Sequence, residues 1–179
     1  MRNIRVLFEA ERIQQKVREL AGQIVTDHPN QELYFITVLN GARPFSRDLQ
    51  AAVGSRGSYK IHNYEIALQS YQGTESTGQV IVTKDLEDRV VEGKLVFIIE
   101  DIIDRGVTMD FLVKYLLEKK GVERVKVVSL LDKPSRRLPG ININIDYRGF
   151  EIEDLFVVGY GLDFDGKHRD LPYIGVLEQ

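Results

Sequence analysis

"VFIIEDIIDRGVT", residues 96–108, runs from apolar residues into the adjacent acids Glu100 and Asp101, adds a third acid at Asp104, and breaks at Gly106 before Thr108. With Leu95 included, the apolar run 95–99 reads as a strand buried on both faces. Residues 108–120 read as a helix that Gly121 stops, and 125–131 as the next strand. Strand, loop, helix and strand within 95–131 make a βαβ unit with parallel pairing, so the chain reads as an α/β protein. Carboxylates are costly to bury without a proton, a cation or a metal. The acids at this strand end therefore ask for a positive or polyhydroxylated partner.

Composition narrows the field. Of 179 residues, 24 are Lys or Arg and 27 are Asp or Glu, a net charge of −3. That balance gives no electrostatic footprint for nucleic acid or for an anionic membrane. There is no cysteine, which excludes disulfides and thiolate metal sites. The N-terminal MRNIRVLFEAERI has no apolar core of a leader, and no 18-residue apolar run occurs, so the reading is a cytoplasmic protein. The length suits one domain over residues 1–179 with a self-sufficient core.

Working outward from the βαβ unit, residues 9–26 place Ile13, Val17, Leu20, Ala21 and Ile24 on one helical face. Residues 33–39 form a short apolar strand. Asn40-Gly41-Ala42-Arg43-Pro44 is a turn, and Pro44 suits the first position of a helix over 44–53. Strands are expected at 59–68 and 79–84, with the polar, glycine-bearing 69–78 between them. Shorter strands are expected at 141–146, 155–160 and 173–177. The predicted architecture is a central, largely parallel twisted sheet flanked by helices, with an added antiparallel hairpin.

In such sheets ligands bind beyond the carboxyl ends of the strands. Segments 40–44, 100–108 and 132–137 lie there. The stretch Asp104-Arg105-Gly106-Val107-Thr108 has the parts of a phosphate cradle: a glycine for close approach, inward amides and a hydroxyl at a helix N-terminus. Alone it reads equally well as a solvated acidic strand end followed by a helix cap. Glu100 and Asp101 favour a ligand that brings hydroxyls and cations with its phosphate. A ribose 5-phosphate does so, with Mg²⁺ bridging.

The pattern of apolar strand, Glu-Asp, two apolar residues, Asp, one residue, Gly, one residue, Thr resembles the phosphoribosyl-pyrophosphate signature of the phosphoribosyltransferases. "LNGARPF" (39–45) resembles the pyrophosphate loop of their hypoxanthine-guanine branch, and "SYQGTESTGQV" (70–80) its mobile catalytic loop. "SLLDKPSRR" (129–137) resembles the purine-contacting strand and loop, and "FVVGYGLDFDGKHRDLPYIGVL" (156–177) the C-terminal purine and magnesium segment.

The resemblance implies the type I phosphoribosyltransferase fold with a small hood and a mobile hairpin loop. It implies transfer of phosphoribose from phosphoribosyl pyrophosphate to hypoxanthine or guanine, with Mg²⁺, by a homodimer or homotetramer. It makes Asp104 the general acid/base at purine N7. Glu100 and Asp101 become ribose and Mg²⁺ contacts, and Asp104, Arg105, Gly106, Val107 and Thr108 the 5-phosphate site. Asn40, Gly41, Ser70, Tyr71 and Arg169 become pyrophosphate contacts. Lys133 becomes the donor to a 6-oxo group, Phe156 a stacking surface, Val157 a backbone contact to the base, and Asp163 a second Mg²⁺ ligand beside the base. Without the resemblance, Lys133 reads as a surface lysine, Phe156 and Val157 as core, Asp163 as a loop cap and Arg169 as a solvated charge. His28, His62 and His168 have no metal-ligand spacing. Two other readings stay open: a xanthine-preferring enzyme, and a ligand-sensing regulator, which would need a DNA-binding extension or a basic face.

Two positions depart from the family pattern. Asn40 stands where Lys or Arg is usual, after a peptide that is often cis, and Arg43 is the nearest cation to replace the lost charge. Arg105 stands where Thr is usual. Asn40→Lys should therefore tighten phosphoribosyl pyrophosphate by about 1.5–3 kcal/mol, the worth of a hydrogen bond to a charged donor. An unchanged KM for that substrate would show that another group already supplies the cation.

Overall fold

The structure, a computed structural model, describes residues 3–71 and 79–178. Its elements are β1 (Ile4–Phe8), α1 (Ala10–Asp27), β2 (Leu33–Leu39), α2 (Arg43–Gly54), β3 (Ile61–Tyr71) and β4 (Gln79–Lys84). They continue with β5 (Leu95–Ile103), α3 (Val107–Lys119), β6 (Arg124–Asp132), a 3-10 turn (Pro134–Arg136), β7 (Tyr147–Glu151), β8 (Val157–Val158) and β9 (Ile174–Leu177). The main sheet has the order β4-β3-β2-β5-β6-β7. All its neighbours pair in parallel except β3 and β4. A small antiparallel sheet, β1-β9-β8, forms the hood.

Strand β5 lies inside the sheet, between β2 and β6, and its residues alternate between two cores. Phe97 and Ile99 pack with Phe35 and with Ile13, Leu20 and Leu49 of α1 and α2. Val96, Ile98 and Ile103 pack with Ile36 and with Met109, Leu112 and Leu116 of α3. Coverage on both faces explains the unbroken apolar run, as in parallel sheets generally. The helical face expected on α1 is the buried one.

The structure corrects several boundaries. Strand β5 does not stop at Ile99 but continues to Ile103, because β6 keeps pairing with it as far as Ile103 opposite Asp132. Strand β1 was not foreseen; it is held by β9, with Ile4 opposite Leu177, a partner at the far end of the chain. No strand forms at 141–146. Ile143 and Ile145 do pack against the α3-side core, and Asn142 and Asn144 are exposed, so the alternation is real. The Asp146 carboxylate, however, accepts the Val127 N–H at 2.9 Å and pairs with Lys126 at 2.7 Å. Pairing with β6 begins one residue later, at Tyr147. The strand expected at 155–160 shrinks to Val157–Val158.

Gly149 marks the tightest approach between β6 and β7. A Cβ placed there would lie 2.3 Å from the Leu130 carbonyl oxygen. Gly149→Ala should cost about 1–3 kcal/mol of stability through forced backbone movement. Denaturant titration checks this, and an unchanged midpoint would show that β7 yields without strain.

Candidate active site

Glu100 and Asp101 sit near the carboxyl end of β5, Glu100 buried and Asp101 half-buried. The backbone N–H of Asp101 donates to Glu100 Oε1 at 3.2 Å, and that of Ile102 to Asp101 Oδ1 at 2.8 Å. Burial, then the charge of Asp101 and the hydrogen bond between the two side chains, push the Glu100 pKa well above the ordinary carboxylate range. Burial also raises Asp101, opposed by its hydrogen bonds with Glu100 and Ile102 and by the charge of Arg169. Both shifts run the same way: burial disfavours charge on either acid, and a cation beside them would relieve it.

Two loops close on this pair. The Leu39–Asn40 peptide is cis, and Gly41 lies so near Asp101 that a Cβ would meet Asp101 Oδ2 at 1.8 Å. Gly161 in turn would meet the Gly41 carbonyl at 2.0 Å. From the same C-terminal segment Arg169 donates to the Gly161 carbonyl at 2.9 Å and pairs with Asp163 Oδ1 at 2.7 Å. Asp163 Oδ2 accepts the Gly166 N–H at 2.7 Å, so the loop-cap reading of Asp163 holds alongside any other. Asn40 is exposed at this edge. Arg43 is turned to β3, donating to both oxygens of Glu65 at 3.0 and 3.2 Å, which a group lent to the 40–41 turn would not be.

Beyond β5, Gly106 takes a positive φ of 85° and opens α3, whose N-terminus has no side-chain cap. The first helical amides, at Val107 and Thr108, have no intrahelical acceptor and are free to take an anion. Arg137 packs over the turn: a Gly106 Cβ would meet Arg137 Cδ at 2.8 Å. It donates to the Asp104 carbonyl at 2.8 Å and pairs with the Asp132 carboxylate. Arg105 is exposed. The Asp104 carboxylate accepts from Arg136 Nε at 3.1 Å.

The turn after β6 places Lys133 beside this edge, its N–H on the Ile103 carbonyl at 2.9 Å. Lys133 is buried at 6 % exposure, with Asp154 Oδ1 4.0 Å from its Nζ. That overturns the plain surface-lysine reading. Phe156 is 52 % exposed, too open for core, and meets Phe164 edge-on at 5.5 Å. Val157 does bury its side chain, opposite Val176 in the hood. Segments 40–41, 100–108, 132–137 and 154–169 thus gather along the carboxyl ends of β2, β5 and β6.

Residues 6–165 match the model of the phosphoribosyl transferase domain. The chain belongs to the phosphoribosyl transferase family. Within it the chain falls in the hypoxanthine-guanine branch. It is 42% identical over 174 residues to the hypoxanthine-guanine phosphoribosyltransferase of Bacillus subtilis (strain 168), covering 97% of this chain and 93% of that one. It is 37% identical over 175 residues to the hypoxanthine-guanine-xanthine phosphoribosyltransferase of Tritrichomonas foetus, covering 98% and 92%. A crystal structure of a hypoxanthine-guanine phosphoribosyltransferase from Bacillus anthracis, with HEPES in its active site, superposes with a TM-score of 0.88 at 38% identity, over 98% of this chain and 99% of that one. The fold is the type I phosphoribosyltransferase fold, and the chain is an enzyme of purine salvage.

Ser70 is exposed on β3 opposite Val80, and Tyr71 pairs with Gln79. The rest of the expected mobile loop, 72–78, lies outside the described residues. Sequence reasoning passed over Arg136, Arg137 and Asp154. The arginines were in a quoted motif, but nothing in their spacing told which carboxylates they meet.

The raised Glu100 pKa has a sign. A carboxyl raised in the folded state adds stability below its ordinary value of 4.5, and that stability is lost as pH rises through the folded value. Glu100→Gln removes the loss. The free variant should melt about 2–4 °C above the parent at pH 8, a gain that shrinks towards pH 5. A pH-independent difference in melting temperature would contradict a raised Glu100 pKa.

Proposed function

We propose that this chain transfers the 5-phosphoribosyl group from phosphoribosyl pyrophosphate to N9 of hypoxanthine or guanine, giving IMP or GMP and pyrophosphate. What carries the reading is the joining, at one strand end, of the adjacent buried and half-buried acids Glu100 and Asp101 to an uncapped helix N-terminus opened by Gly106. Few ligands need both; a phosphorylated sugar with two free hydroxyls does.

In the proposed complex the 5-phosphate lies on the amides of Gly106, Val107 and Thr108, beside Asp104 and the exposed Arg105. Glu100 and Asp101 take the ribose hydroxyls. Pyrophosphate lies over Asn40 and Gly41, within reach of Arg169 and of Ser70 and Tyr71. Phe156 supplies an exposed face for the purine, Val157 a backbone contact, and Lys133 a donor for the 6-oxo group. N9 bonds to the anomeric carbon as its bond to the pyrophosphate oxygen breaks, and the proton leaving the base passes to Asp104. Proton transfer of this kind contributes about 10²–10⁴-fold.

Mg²⁺ fits the donor set. It takes one or two carboxylates together with substrate phosphates and water; Glu100 and Asp101 would supply such oxygens, and Asp163 would do so on exchanging its contacts with Arg169 and Gly166, since among the described residues no three such side chains are gathered to hold a metal by themselves. Bound there, it would neutralise charge developing on the leaving pyrophosphate. Phosphoribosyl pyrophosphate and the nucleotide product are highly charged and do not cross membranes unaided, so the proposed setting is the cytoplasm, with the enzyme acting as a homodimer or homotetramer. No described helix is long and apolar enough to cross a membrane.

Lys133 makes the base choice testable. An ammonium is a donor only; it suits hypoxanthine and guanine and meets donor with donor at adenine. A spectrophotometric assay with phosphoribosyl pyrophosphate and Mg²⁺ should show hypoxanthine and guanine preferred over adenine by at least about 10³-fold, mostly lost in Lys133→Met. Adenine turned over within about tenfold of hypoxanthine by the parent would sink the assignment. Xanthine, a substrate named for the Tritrichomonas foetus relative, should be the poorest of the 6-oxopurines, because its 2-oxo group falls on the Asp163 side.

A further inference from the structure

We infer that Arg136 and Asp154 are positioning residues that tie the acid/base carboxylate to the base-reading lysine in a single charged array. The inference rests on the reading of Asp104 and Lys133 above. Arg136 Nε lies 3.1 Å from Asp104 Oδ1, and its NH1 lies 3.4 Å from Asp154 Oδ2. The other oxygen of Asp154, Oδ1, lies 4.0 Å from Lys133 Nζ. The order is carboxylate, guanidinium, carboxylate, ammonium. It crosses three separate segments: the turn after β5, the turn after β6, and the stretch leading to Phe156.

Local backbone geometry makes this array possible. Pro134 starts a 3-10 turn, and the Arg136 N–H closes it on the Lys133 carbonyl at 3.1 Å. Lys133 and Arg136, three residues apart, therefore come off one tight turn and meet the same Asp154. Arg137 does a different task, holding the Asp104 backbone carbonyl and the buried Asp132. Two arginines in sequence thus fix the backbone and the side chain of the same aspartate.

Arg136, Asp104 and Asp154 have side chains 43%, 40% and 57% exposed. Ion pairs that open to water add little stability. The gain is in orientation. With Oδ1 engaged by Arg136, Oδ2 of Asp104 is left to accept the proton of the base. A purine that fills the space displaces water, and the array then acts in a medium where fixed charges count for more. Asp154 couples the two ends: the carboxylate that steadies the lysine reading position 6 also steadies the arginine orienting the group at N7.

The test is steady-state kinetics with hypoxanthine on Arg136→Gln, Arg136→Lys, Asp154→Asn, Asp104→Asn and the Arg136→Gln/Asp104→Asn double variant. Arg136→Gln should lower kcat about tenfold with KM for phosphoribosyl pyrophosphate within about twofold, and Arg136→Lys should recover most of it. Asp154→Asn should raise KM for hypoxanthine about fivefold and leave that for phosphoribosyl pyrophosphate alone. In the Asp104→Asn background, Arg136→Gln should cost less than about twofold, since the group it orients has gone. Equal losses in both backgrounds, or a kcat within about twofold of the parent for Arg136→Gln alone, would overturn the inference while leaving the enzyme reading intact. Asp104→Asn that by itself keeps kcat within about threefold would overturn the acid/base reading, and the array with it.

Discussion

Two neighbouring carboxylates inside a protein can share a proton or hold a cation, but they do not both stand charged in a dry place without compensation. Glu100 and Asp101 impose that constraint on everything around them. They sit on β5, which is covered on both faces, so neither side chain gains full hydration by moving the strand. The surrounding loops come close rather than shield with bulk. Gly41 and Gly161 are stacked in turn upon Asp101, each at a distance no Cβ would allow. That contact brings the backbone of the 40–41 turn directly against Asp101.

A second constraint ties the turn after β6 to the turn after β5. Asp132 is buried at 1% exposure. Arg137 bonds one of its oxygens, and Arg148 Nε stands 3.2 Å from the other without hydrogen-bond alignment. A buried acid of this kind is tolerable only while its cation stays in place. Arg137 is therefore pinned, and through it the Asp104 carbonyl is pinned as well. The turn at Gly106 has a floor set by charge pairing two strands' ends apart, not by the turn residues themselves.

What was legible in the sequence follows from this division. Strands buried on two faces announce themselves through unbroken apolar runs, and so β2 and β6 are legible near their true limits and β5 at its start, its last four residues being hidden by the acids that interrupt the run. The site acids stood out because they break such a run. Strand β1 did not stand out: Arg5 and Val6 are exposed, and what makes a strand of it is pairing with β9, a long-range contact no local pattern encodes. The segment 141–146 misled for the opposite reason. Its alternation reports burial faithfully, but ladder pairing is a separate matter, and Asp146 takes the Val127 N–H that a strand would have used. Asn40, Gly41 and Arg169 were named from the resemblance of motifs, whereas Arg136 and Asp154 owe their meaning to the folded turn that brings them together.

Lys133 shows how far burial can be read as function. A buried ammonium is sustained by close acceptors, yet the ion partner of Lys133 among the described residues, Asp154, stands at 4.0 Å and is itself exposed. Compare Lys126, whose ammonium reaches the largely buried Asp146 at 2.7 Å. That pair is complete in the free protein; the contact at Lys133 is long. A lysine set at 6 % exposure with its carboxylate at arm's length has capacity for one more acceptor, and under the proposed function it is the group on which base selectivity would turn. On that proposal a 6-oxo group would complete the ammonium's shell, whereas a 6-amino group would seal it off unpaired, and the cost of that mismatch would fall on the wrong base at the moment water is excluded.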